Sequence, residues 1–303
     1  MTNRIKRIYC GLLFASMVLL NNVWGRQQSE LVLGTYTYAS NNRLSSLEAL
    51  AGYLHREAGL TVTVKSYPNV PALLNAIRAD SVQLAVLNTV GYLLQQRHDA
   101  GRMIPLLNLN LGMDTATQYG GCIIAARSTD ILQLPQLRNA ARYTLALVAP
   151  SSTSGNLVPR LLLNSIGITD AASRFDTYYA GTHQQAVADV LSGKAQLAGC
   201  GCAEVDTAKL RHDFDRKAVV VASFNDIPLG PLAYHHRLPT AVVQKVQQAL
   251  MRIHEKDTES FRTFCSGWTE FRKAKSFQPV ADRAYDPFRH MFGNNESLWQ
   301  LIQ

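Results

Sequence analysis

The stretch Val148-Ala149-Pro150-Ser151-Ser152-Thr153-Ser154-Gly155-Asn156 joins two patterns within nine positions. An apolar, β-rich run over 144–149 leads into it. A helix predicted over 152–166 leaves it, with Leu157, Leu161 and Leu162 on one stripe. A strand passing through small polar residues straight into a helix is the building step of an α/β sheet. The first turn of that helix has free backbone N–H groups and the positive end of the helix dipole. Capping such a turn takes one hydroxyl. Four in succession, with Gly155 permitting close backbone approach, make a site for an oxyanion.

The same alternation extends on both sides. Strands are predicted over 31–37, 60–66, 82–87, 104–111 and 121–126, with helices over 46–58, 70–79 and from Thr89. Beyond the serine-rich run come strands over 175–180 and 197–205 with a helix over 184–191 between them. Strand candidates at 218–224 and 231–235 follow, then helices over 240–256, 260–268 and 282–292. The expectation is an α/β protein of two lobes, each a mixed sheet flanked by helices, with a hinge and a ligand cleft between them. The lobes are expected at 26–120 plus 228–303, and at 121–227.

Composition narrows the function classes. The chain has 303 residues, 47% hydrophobic and 17% charged, ordinary values for a globular protein. Arg4, Lys6 and Arg7 precede an apolar run over 8–20, and Val23-Trp24-Gly25 follows, so 1–25 reads as a cleavable signal peptide leading to the periplasm. Without those three basic residues the chain carries 27 basic against 22 acidic side chains, a net of +5. No basic block suggests nucleic acid, and a mild positive field suits anions. Cys122, Cys200, Cys202 and Cys265 remain, and four cysteines allow three pairings among which the sequence does not choose. A lysine-bearing phosphate loop is absent, and no cofactor or metal motif is present.

A second stretch, Ala180-Gly181-Thr182-His183-Gln184-Gln185-Ala186-Val187, lies at the next strand end, where His183 can face the same cleft as the serine-rich turn. Together with Pro159, with Leu191 and Gly193, with Leu87-Asn88-Thr89-Val90-Gly91-Tyr92, with Tyr119-Gly120-Gly121-Cys122-Ile123 and with Ile227-Pro228-Leu229-Gly230-Pro231, these stretches resemble the phosphonate-binding protein family. Those are periplasmic components of phosphate, phosphite and phosphonate transporters, with a two-lobed, type II-like periplasmic binding fold. The resemblance implies a small oxyanion ligand, a permease partner, a monomeric, non-enzymatic protein and no cofactor.

Carried over by residue, it implies that Ser151, Ser152, Thr153, Ser154 and His183 grip the oxyanion. It implies that Tyr92 is a cleft aromatic and that Tyr36 or Tyr38 is another. Relatives that bind aminophosphonates carry carboxylates for the ammonium group. Glu204 stands near one such position, but Gly230 falls where an aspartate is expected, which points to an anion without an amino tail. Cys122, opening a strand beside the hinge, reads as a small buried residue or half of a disulfide. As a thiolate it would suit an arsenic oxyanion and a sensor acting on a membrane histidine kinase. A hydrolase using a serine among 151–154 with His183 as base lacks the G-x-S-x-G elbow and ranks last.

Overall fold

A computed structural model describes residues 31–37, 43–112, 119–210, 213–292 and 299–300. The signal-peptide segment and Tyr38 lie outside the described residues.

Eleven strands form two mixed sheets. The first contains β1 (Leu31–Tyr36), β2 (Val62–Tyr67), β3 (Leu84–Val86), β4 (Met103–Asn110), β10 (Leu232–His235) and β11 (Ser276–Pro279), in the order β11-β4-β10-β3-β1-β2. The second contains β5 (Gly121–Ala126), β6 (Thr144–Leu147), β7 (Asp176–Tyr179), β8 (Leu197–Gly201) and β9 (Ala218–Phe224), in the order β7-β6-β8-β5-β9. Strands joined by a helix pair in parallel, as crossover connections require, in β1 with β2 and β3 and in β6 with β7 and β8. Strands β10 and β5, which follow the chain's passages between the sheets, run antiparallel to their neighbours. The two lobes expected from the alternation are therefore present, each a mixed sheet with helices on its faces.

The longer helices among the described residues are α1 (Leu44–Ala58), α2 (Val70–Arg78), α3 (Thr89–His98), α4 (Val158–Ser165), α5 (His183–Leu191), α6 (Cys202–Lys209), α7 (Thr240–Lys256), α8 (Thr258–Ser266) and α9 (Asp286–Phe292). Strand pleat sorts side chains to the two faces. On β5, Cys122, Ile124 and Ala126 pack with α5, whereas Ile123 and Ala125 join Leu163 of α4 in the opposite core. On β1, Leu31 and Leu33 meet Leu47 and Leu50 of α1, and Tyr36 faces the other way toward Val70 and Leu73 of α2. Both faces of both sheets are covered, which explains the near-continuous apolar runs. Among the described residues no helix is long and apolar enough to cross a membrane.

Two sequence expectations need correction. The run predicted as one strand over 197–205 leaves the sheet at Gly201, and α6 begins at Cys202. Ala203, Glu204, Ala208 and Lys209 are good helix formers, and the glycines before them end the strand. Strand β11 was not expected: its four residues are too short and polar for a period signal, and pairing with β4 makes it a strand.

Gly230 has a packing cause. A β-carbon there would lie 2.0 Å from the carbonyl oxygen of Leu87 and 2.6 Å from Cα of Asn88, both backbone atoms that cannot turn aside. The segment returning to the first sheet passes so close to the start of α3 that no side chain fits, whatever the ligand. The inference from Gly230 to a ligand without an amino tail therefore falls. Gly230→Ala should lower the unfolding free energy by about 3 kcal/mol or more, or prevent folding. A variant within about 0.5 kcal/mol of wild type in chemical denaturation would show that the close approach is absent.

Candidate functional site

The serine-rich turn opens as a widened helical turn. Thr153–Leu157 forms a π-type turn ahead of α4, in which the Leu157 N–H donates to the carbonyl of Ser152 at 3.0 Å and the Val158 N–H to that of Thr153. Such turns commonly mark functional positions because they re-aim backbone groups. Gly155 is required within it. A β-carbon at that position would lie 2.3 Å from Cγ2 of Val148 and 2.9 Å from the His183 ring, so its absence lets that ring close onto the turn.

The four hydroxyls do not act alike. Ser152 caps the turn, its Oγ accepting from the Gly155 N–H at 3.1 Å. Thr153 Oγ1 accepts from the Val90 N–H, in the first turn of α3, at 3.2 Å. Ser154 Oγ accepts from the Tyr119 hydroxyl at 3.3 Å. Ser151 is nearly buried; its backbone carbonyl receives the Asn88 Nδ2 at 2.8 Å, and its side chain lines neither cavity described below. A hydroxyl that already accepts from the protein keeps its own hydrogen to donate. The turn therefore presents O–H groups from Ser152, Thr153 and Ser154.

His183 follows the same logic. It opens α5 behind the cap Thr182, and its Nδ1 accepts from the Gly201 N–H at 2.9 Å. With Nδ1 occupied as an acceptor, the neutral ring carries its hydrogen on Nε2. Burial, with the nearby charge of Arg43 as a smaller cause, holds its pKa down to about 4 against an ordinary 6.5. Near neutral pH it is an uncharged N–H donor.

These groups meet at a cavity of about 90 Å³ lined by Ser152, Thr153, His183, Asn88, Tyr36 and Arg43 among others. Two helix starts face it: the turn at Thr153 and that of α3, capped by Asn88 Oδ1 accepting from the Gly91 N–H at 2.8 Å. A second cavity of about 420 Å³ adjoins it and shares Tyr119, His183, Thr269, Glu270 and Arg272. The larger space has Ser154, Cys122, Cys202 and Glu204 on its walls. The small one is the candidate ligand site, because the helix starts and most of the fixed donors converge there.

Arg43 was missed by sequence reading. Its guanidinium is buried, with Cζ 4.7 Å from the ring centroids of both Tyr36 and Trp268. Its Nε donates to the Gly267 carbonyl at 3.0 Å and one terminal nitrogen to that of Tyr36 at 3.3 Å. Aromatic faces and carbonyls make burial of the cation tolerable. No motif surrounds Arg43. Its partners at 267 and 268 are more than two hundred residues away in the chain, so only the tertiary structure shows that it lines the cavity.

The remaining candidates divide. Tyr36 lines the small cavity, and burial raises its phenol pKa, which keeps its hydrogen available. Tyr92 does not reach either cavity. It is wholly buried, donates to Asp282 Oδ1 at 2.7 Å and packs 4.6 Å from the Tyr285 ring, because its place on α3 turns it into the first lobe's core. Cys122 cannot offer a thiolate: it forms a disulfide with Cys202, which staples the start of β5 to the start of α6. Cys200 and Cys265 are buried thiols, pushed by burial well above the ordinary cysteine range, Cys265 to about 12. Glu204 lies in the first turn of α6, accepts from Gln184 Nε2 at 2.8 Å and borders the larger cavity. Among the described residues no group of three or more metal-ligating side chains occurs.

Comparison with known proteins adds independent findings. The family model described as "ABC transporter, phosphonate, periplasmic substrate-binding protein" matches residues 33–278. Among solved structures, PhnD1 from Prochlorococcus marinus, determined with methylphosphonate, superposes with a TM-score of 0.71 at 14% identity, over 89% of this chain and 99% of that one. A binding protein component of an ABC phosphonate transporter from Pseudomonas aeruginosa gives 0.66 at 19% identity, over 89% and 86%. The aliphatic sulphonate binding protein SsuA from Escherichia coli gives 0.59 at 13% identity, over 88% of both chains. These identities establish a shared fold, whereas the family match spans most of the sequence. The chain belongs to the periplasmic substrate-binding proteins of phosphonate ABC transporters.

Proposed function

We propose that this protein captures a small tetrahedral phosphorus oxyanion (phosphate, phosphite or a phosphonate) in the cavity between its lobes and delivers it to a membrane permease. The observation that carries the reading is the set of one-way donors. Ser152, Thr153 and His183 each have an acceptor position filled by a backbone N–H, so each turns a hydrogen toward the ligand. Two helix starts and Arg43 add positive potential. Such a wall suits an anion whose oxygens accept from several directions. In this reading 26–120 with 228–303 form one lobe, 121–227 form the other, and segment 1–25 directs export of a monomer.

The same geometry disfavours a hydrolase. A catalytic histidine donates from Nδ1 to a carboxylate and takes a proton at Nε2. Here Nδ1 receives a hydrogen, and Nε2 already holds one. The arsenic-sensing version loses its soft ligand, because Cys122 is bonded to Cys202.

Phosphate, phosphite or methylphosphonate should raise the melting temperature in a concentration-dependent way, as any ligand of the native state does. Loss of one hydrogen bond to a charged ligand costs about 1.5–3 kcal/mol, so His183→Ala should weaken binding by roughly tenfold to a hundredfold in calorimetry. Ser152→Ala should weaken it too and also destabilise the unliganded protein by about 1 kcal/mol through the lost cap. If no phosphorus oxyanion shifts melting while an amino acid or a sugar does, the reading fails.

His183 also sets a pH dependence. Its folded pKa is depressed, so the unfolded chain binds the proton more readily. The His183 contribution to stability is therefore present above about pH 6.5 and is lost as pH falls toward about 4. Denaturation curves should show that loss, and His183→Asn, which keeps an acceptor for Gly201, should flatten it across this window. A bound anion should flatten it as well, by favouring the charged ring. Equal slopes for wild type and variant would remove His183 as the cause.

A further inference from the structure

Glu270 is an unexpected member of an anion site. It lies on the short turn Thr269–Phe271 directly after Trp268, is half-buried, and borders both the small cavity and the larger one beside it. Among the small cavity's other polar walls, Ser152, Thr153, His183 and Arg43 offer hydrogens. Glu270 is the carboxylate among its described lining residues. A carboxylate facing a desolvated anion is repulsive unless a proton lies between them.

The surrounding charges sharpen this. Arg43 and Tyr36 face Glu270 from the first lobe, His183 from the second, and Arg272 and Lys273 follow it along the chain, while Glu204 borders the adjoining cavity. Burial is the largest influence and raises the Glu270 carboxyl above its ordinary range, although Arg43, the Glu270 backbone N–H and Arg272 pull the other way. Arg43 is the buried cation, and Arg272 is exposed. With Glu270 ionised, its charge already offsets that of Arg43, and a doubly charged ligand would add twice the uncompensated negative charge of a singly charged one. A singly charged ligand with a hydroxyl hydrogen fits better, because that hydrogen can be donated to Glu270 while its other oxygens accept from the donors opposite.

Resting on the oxyanion reading above, we propose that Glu270 is a specificity-determining residue that accepts the P–OH hydrogen of a singly protonated phosphonate or phosphate and so excludes sulfonates. An alkylsulfonate has the same tetrahedral shape and single charge but no hydrogen to give. It would leave its oxygen against the carboxylate, the kind of mismatch by which a hydrogen-bonding site rejects a near-isostere.

The test is calorimetry at about pH 7, where His183 is neutral, on wild type, Glu270→Gln and Glu270→Asp, with methylphosphonate and methanesulfonate as paired probes. Wild type should prefer methylphosphonate by at least about a hundredfold. Glu270→Gln, whose amide can donate to a bare oxygen, should narrow that ratio by about tenfold or more, chiefly by gaining methanesulfonate affinity. Glu270→Asp, which keeps an acceptor, should retain the preference. Raising the pH through the second ionisation of methylphosphonate should weaken its binding to wild type more than to Glu270→Gln.

The proposal is overturned if methylphosphonate binds but Glu270→Gln leaves the ratio within about twofold of wild type. It is overturned equally if wild type holds methanesulfonate as tightly as methylphosphonate. If wild type binds no phosphorus oxyanion at any pH, the oxyanion reading itself fails and takes the proposal with it. That outcome differs from an unchanged ratio.

Discussion

At the strand end where β8 gives way to α6, the Gly201 N–H donates to Nδ1 of His183, and the character of the cleft follows from that bond. It sets the tautomer, so the neutral ring carries its hydrogen on Nε2. The bond joins the end of β8 to the start of α5, and thus holds together two strand–helix junctions of the second lobe. The disulfide at Cys202 and the bond from the Cys202 N–H to the Gly120 carbonyl hold the same corner from the other side. A neutral histidine is a weaker attractor than an imidazolium, but it keeps its hydrogen across a wide range of pH.

Around that bond stand hydroxyls that each already accept one hydrogen bond from the protein. Ser152 accepts from the turn it caps, Thr153 from the first turn of α3, and Ser154 from Tyr119. In the proposed reading, this arrangement selects anions without a dense cluster of positive charge. The contacts of Thr153 with Val90 and of Ser151 with Asn88 join the turn that follows β6 to the start of α3. Arg43, braced between Tyr36 and Trp268, adds one fixed cation, and Glu270 places one acceptor among the donors.

Much of the architecture was legible in the chain. The alternation of apolar runs and helical stripes gave the two mixed sheets, because strands covered on both faces must be apolar throughout and helices must show one apolar side. It failed where local pattern was ambiguous. Cys200-Gly201-Cys202 reads as a buried strand continuing, yet the strand ends at Gly201, and β11 exists only because β4 offers it an edge. The site was legible to a similar depth. The serine-rich turn and His183 stand out because helix starts have a local chemical need for such residues.

What the sequence alone determined is therefore local: which segments are strands and helices, which helix starts carry hydroxyls, and which family the chain resembles. The tertiary structure decided which of those groups share a cavity. It turned Tyr92 into the core and Tyr36 toward the cleft, and it tied Cys122 to Cys202. It explained Gly230 by the backbone passing beside it, and it brought Arg43 beside Trp268 and Glu270 from the far end of the chain. The physical reason is range. Capping and periodicity act over a few residues, whereas burial, charge pairing and covalent closure depend on neighbours that only the folded chain supplies.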